Sequence, residues 1–82
     1  MKKVVYGDRK FLIIKISRGN ETFFTVVRKN MPKEYHAHFD NIYGAKMIIK
    51  LYWKQEIPKS EYLLQSLKRL CTNKELIQRK IY

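Results

Sequence analysis

The chain has 82 residues, with 18 Lys and Arg against 7 Asp and Glu for a formal charge of +11, and 45% of its residues are hydrophobic. A chain of this length buries only about 60–65% of the surface its unfolded form exposes, which suits one small core and excludes the pocketed architecture of larger enzymes. Its 13% aromatic content belongs to a folded domain rather than to a disordered basic tail.

Along the chain, Val4-Val5-Tyr6 is a candidate for a short fourth edge strand of a sheet that otherwise has three. Lys10–Ser17 and Glu21–Arg28 are rich in β-branched and aromatic residues, and Gly19-Asn20 between them is a two-residue hairpin signal. In that register, residues facing each other have numbers that sum to 39. One face then pairs Leu12 with Val27, Ile14 with Thr25, Ile16 with Phe23 and Arg18 with Glu21, and is expected to be the core face. The other pairs Phe11 with Arg28, Ile13 with Val26, Lys15 with Phe24 and Ser17 with Thr22, so it mixes cations with rings. After the Asn30-Met31-Pro32 break, residues 34–39 alternate with period two, placing Tyr35, Ala37 and Phe39 on one side and His36 and His38 on the other.

The remainder reads as helices. Asp40 or Asn41 can cap a helix running to about Gln55, with Ile42, Ala45, Ile48, Ile49, Tyr52 and Trp53 as its apolar stripe and Lys46, Lys50 and Lys54 on its exposed side. Pro58 interrupts the pattern. Ser60–Cys71 follows, with leucines and Cys71 inward and Lys68 and Arg69 outward. Thr72-Asn73-Lys74-Glu75 is a capping box that opens a last short helix. The expected fold is α+β, one domain over residues 1–82 with a sheet half (1–39) and a helical half (40–82), in the order β-β-β-α-α-α.

A single cysteine, Cys71, excludes an intramolecular disulfide and a cysteine-based zinc site and is expected in the core. The first residues lack the apolar run of a secretory signal, and no stretch of about 18 apolar residues occurs. A cytoplasmic location with no membrane partner, no cofactor and no bound metal is the expectation.

The positive charge points to a polyanion or an acidic protein. Residues 1–43 carry nine cations and four anions, and residues 44–82 carry nine and three, so the charge is spread over the fold. Lysine outnumbers arginine 13 to 5, which favours phosphate contact over bidentate reading of base edges. Enrichment in Lys, Ile, Tyr and Asn is also what AT-rich coding produces. The mixed hairpin face, with Lys15, Arg28 and Phe24, is open to two readings: a surface for phosphates and bases, or an apolar patch covered by the helices or by a second subunit. The row Lys46, Lys50 and Lys54 and the pair Lys68 and Arg69 could lie along phosphates or face solvent. His36 and His38 point the same way from one strand, as surface histidines or as titrating contacts to a polyanion. A helix-turn-helix at Thr72 lacks a glycine at its turn.

At Phe39-Asp40-Asn41-Ile42-Tyr43-Gly44-Ala45, three strands followed by an aromatic residue, a cap and an alanine within a packed helix resemble the small arm-binding domains at the N-termini of tyrosine-type integrases. The resemblance covers roughly residues 6–53. It implies a sheet laid into the DNA major groove with a helix behind it. Leu12, Ile14, Ile16, Phe23 and Val27 would then face the helix, and Lys15, Arg28, His36 and His38 the groove. Residues 58–82 have no counterpart.

The expectation is therefore a small, non-enzymatic nucleic-acid-binding protein, for DNA or RNA, from a phage or other mobile element. Two alternatives stand beside it. One is an interaction module or inhibitor that binds an acidic host protein, or a homodimer formed through the apolar sheet face. The other is a toxin-like ribonuclease using His36 or His38 as general base.

Overall fold

Strands β1 (Lys2–Gly7), β2 (Phe11–Arg18), β3 (Glu21–Arg28) and β4 (His36–Phe39) form one antiparallel sheet in sequential order, in a computed structural model that describes residues 1–81. Helices α1 (Ile42–Lys54), α2 (Glu61–Leu70) and α3 (Asn73–Gln78) follow. This is the expected α+β order, with β1 as the fourth, edge strand.

The β2–β3 hairpin pairs Phe11 with Arg28 through to Arg18 with Glu21. Gly19, at φ 58, takes the positive φ that a two-residue turn needs at its first central position. On β1 the register shifts between Val4 and Tyr6. This bulge turns both Val5 and Tyr6 against the core, where strict alternation would have sent one of them outward.

The two faces of the sheet are the reverse of the expectation. Phe11, Ile13 and Val26 are fully buried and share one core cluster with Ala37, Phe39, Ala45, Ile48, Tyr52, Leu67 and Leu70, while Phe24 packs against it. Leu12, Ile14, Ile16, Phe23 and Val27 are half-buried and outside that cluster. The reason lies in β4, whose register sets Ala37 opposite Val26 and Phe39 opposite Phe24. The chain enters α1 three residues after Phe39, so the helix lands on the Phe39 side of the sheet. Its entry is close: a Cβ on Gly44 would come within 3.1 Å of the Phe39 ring. The apolar patch of the mixed face is thus covered by the chain's own helices, and a homodimer through Phe11, Ile13, Phe24 and Val26 has no surface to use.

Each helix starts at a side-chain cap. Asn41 accepts from the N–H of Gly44, and Ser60 from that of Leu63. Thr72 and Glu75 exchange both bonds of the capping box. Pro58 lies buried between α1 and α2. Among the described residues no helix is long and apolar enough to cross a membrane.

A polar network ties the last helix to the sheet. Arg28 Nη1 donates to Leu70 O (2.8 Å) and to Glu75 Oε1 (2.9 Å). Tyr52 Oη donates to Glu75 Oε2, and Arg79 Nη1 donates to Tyr52 O (2.9 Å). The Arg28 side chain is 8% exposed. Burial pushes the Glu75 carboxyl up, but the bonds from Arg28, Tyr52 and the Thr72 N–H outweigh it and bring it down to about 2.

Candidate nucleic-acid interface

The ten residues expected to contact nucleic acid separate into three places. Arg28 and Phe24 are withdrawn from the surface, Arg28 into the ion pair with Glu75 and Phe24 against the core. Both expectations are corrected by the same cause, the helices lying over their side of the sheet. Lys15 is exposed on that side, and Lys3 is its cross-strand neighbour.

The second group is on β4 and α2. His36 and His38 project from the uncovered face, beside Val27 and Thr25 in register, and so on the opposite side from Lys15. Phe23, His38 and His36 form a row of edge-on rings with centroids 5.6 and 4.9 Å apart. His36 Nδ1 donates to Lys33 O at 2.7 Å, and His38 Nδ1 lies 2.8 Å from Thr25 Oγ1. Burial, and then the charges of His36 and Arg69, lower the pKa of His38. Arg69 is exposed and Lys68 half-buried on α2. Tyr62 Oη donates to His38 O at 2.7 Å, strapping α2 to the sheet edge. Among the described residues, no group of three or more His, Cys, Asp or Glu side chains could hold a metal ion.

The third place is on α1. Lys46, Lys50 and Lys54 recur every four residues along α1 and border a shallow concavity of about 390 Å³. Tyr6 of β1 and Ile49 and Trp53 of α1 complete its lining. Lys46 Nζ is 6.0 Å from the Tyr6 ring centroid, and the Arg9 guanidinium is 5.0 Å from that of Trp53. No carboxylate among the described residues lies within 4.0 Å of the three lysines.

Asp8 organises this groove. Its Oδ1 accepts from the N–H groups of Lys10 and Phe11 at 2.9 and 2.8 Å, which shapes the β1–β2 turn. Its Oδ2 accepts from Trp53 Nε1 at 3.0 Å and from Tyr6 Oη at 3.4 Å, so one carboxylate holds both rings. Burial opposes the charge of Asp8, but the bond from Trp53 and those from the two backbone N–H groups prevail and lower its pKa. Asp8 keeps its negative charge beside the two rings, where Lys46, Lys50, Lys54 and Arg9 outnumber it.

No family model, curated protein or solved structure matches this chain.

Sequence reasoning missed Tyr6 and Trp53 as groove residues. Trp53 belongs by period to the inward stripe, yet it is 37% exposed. At about 100° per residue it projects within about 20° of Lys46, a position on the wheel that marks it as a border residue. Strand alternation does not place Tyr6 there, because its direction comes from the shift of register between Val4 and Tyr6.

Proposed function

We propose that the chain is a small nucleic-acid-binding protein that grips the phosphate backbone with the lysine row of α1 and stacks bases on the rings beside it. The supporting observation is the groove itself, in which Lys46, Lys50 and Lys54 flank Tyr6 and Trp53, with no carboxylate among the described residues within 4.0 Å of the three lysines. A positive track interleaved with rings is the chemistry that binds single strands with little sequence preference, since every base has a π-face. Lys3 and Lys15, exposed and paired, are two further cations on the side of the sheet that carries the helices. With six to ten phosphate contacts, affinity falls by about 10³–10⁵ between 50 and 200 mM salt.

The test is fluorescence anisotropy with labelled duplex DNA, single-stranded DNA and RNA across a salt series, on wild type and on the triple variant Lys46→Ala, Lys50→Ala, Lys54→Ala. Each lysine withdrawn from a phosphate takes about 0.7–0.9 off the slope of log affinity against log salt, so the triple variant should flatten it by about 2–3. Trp53, the single tryptophan, should report base stacking directly by quenching. An unchanged slope in the triple variant, or unquenched Trp53 at saturation with single strands, would move the site elsewhere or remove it.

A further inference from the structure

The sheet leaves one face without a cover. Val4, Leu12, Ile14, Ile16, Phe23 and Val27 all project there, adjacent in register: Val4 faces Ile14, Leu12 faces Val27 and Ile16 faces Phe23. Val4 is 56% exposed, the other five are half-buried, and none of the six belongs to the core or packs against it. An antiparallel sheet with one solvated face ordinarily turns polar residues to that side. A contiguous apolar patch in their place marks an interaction surface.

The charges around this patch identify its occupant. Lys2 stands beside Ile16 at one end, next to Arg18, and Lys33 and Arg69 flank the β4 side, near His36 and His38 respectively. Glu21 sits opposite Arg18, and Asp40 joins it beside Phe23 and His38 at that corner. The cations lie at the perimeter and the centre has no donor for phosphate, which disfavours a nucleic-acid backbone. A second copy fits poorly as well. It would set one basic perimeter on another with +11 on each chain. With strands about 4.8 Å apart and residues about 3.3 Å apart, the patch measures roughly 300 Å², against about 800 Å² per partner in a standard interface. That size suits one helix, about 10 Å across, better than a whole domain.

We infer that the uncovered sheet face docks an acidic amphipathic segment of another protein, with apolar side chains seated on β2 and β3 and carboxylates reaching the cations at the edge. This surface is separate from the α1 groove, since the helices lie on the other side of the sheet.

The probes are three synthetic helical peptides: a leucine stripe flanked by glutamates, the same stripe flanked by lysines, and a glutamate-rich helix without leucines. Binding is followed by methyl-resolved NMR. The leucine–glutamate peptide should bind at least about tenfold more tightly than either control, with shifts concentrated on the methyls of Leu12, Ile14, Ile16 and Val27. The double variant Ile14→Thr, Val27→Thr, which keeps β-branched residues on an exposed face, should lose that tenfold while binding nucleic acid as wild type does. The α1 triple lysine variant should keep the peptide. Equal binding of the leucine-free peptide, or shifts confined to the methyls of α1, would overturn the inference. So would a concentration-dependent dimer in sedimentation that perturbs the same methyls, which would make a second copy the occupant.

Discussion

Replacing Glu75 by Gln should cost the protein about 2–3 kcal/mol at pH 7, a large part of the roughly 4–12 kcal/mol that a domain of this size has. Glu75 joins three parts of the fold, through Arg28 of β3, Tyr52 of α1 and the N–H of Thr72. Its carboxyl falls from an ordinary 4.5 to about 2, and at about 1.4 kcal/mol per unit that amounts to roughly 3 kcal/mol. The side chain is 17% exposed, so solvent screens little of it. Removing one partner of a buried pair costs about 3–5 kcal/mol, because it strands the other charge. Arg28 would be left with Leu70 O, its Nε having no partner among the described residues. Glutamine keeps the shape and one acceptor, which places the cost toward the lower figures. At about 4–8 °C per kcal/mol for a domain of this length, Tm should fall by roughly 10–20 °C.

The pH dependence separates this ion pair from a packing defect. A carboxyl whose folded pKa is depressed contributes stability above its unfolded pKa and loses it as pH falls toward the folded value. The gap between wild type and Glu75→Gln in urea unfolding should therefore be full at pH 7 and begin to close below about pH 5. It should be nearly gone near pH 2. A cost under about 1 kcal/mol at pH 7, or a gap that stays constant down to pH 2, would refute the reasoning.

Thr72→Ala should cost about 1 kcal/mol through the capping box, and its effect should fail to add to that of Glu75→Gln, since Glu75 serves both the box and the ion pair. Additive urea midpoints would separate the two. Gln55 ends α1 at φ 56, a left-handed conformation that glycine adopts freely, so Gln55→Gly should stabilise by about 0.5–1 kcal/mol. A lowered urea midpoint would contradict this. Cys71 is buried, and burial pushes its thiol up to about 11, so an aromatic disulfide reagent at pH 8 should label it only as the protein opens. Immediate stoichiometric labelling of the native protein would show the thiol to be accessible.

Much of the local structure was legible from the residues. The hairpin register follows from Gly19-Asn20 and the strands on either side, because a two-residue turn leaves one way to pair them. The caps at Asn41, Ser60 and Thr72 follow from side chains that satisfy their own helix ends. The lysine row of α1 follows from its period. These features share one property: each is specified by residues within a few positions of one another, a turn, a cap or a helical period.

What tertiary structure alone decided was which side of the sheet is inside. Both faces of the β2–β3 hairpin carry enough apolar residues to be a core, so periodicity could not choose between them. The choice came from β4, where pairing Phe39 with Phe24 delivers α1 to the Phe11 side. That single parity withdrew Arg28 and Phe24 from the surface and put the histidines opposite Lys15. It also left Leu12, Ile14 and Ile16 uncovered. The groove of Tyr6, Trp53 and the lysines has the same origin, since its parts come from an edge strand, a turn and a helix that meet only when α1 crosses the sheet. A residue's partner along the chain is set by local chemistry, but its partner across the core depends on how whole elements stack. One residue of register reverses every such contact.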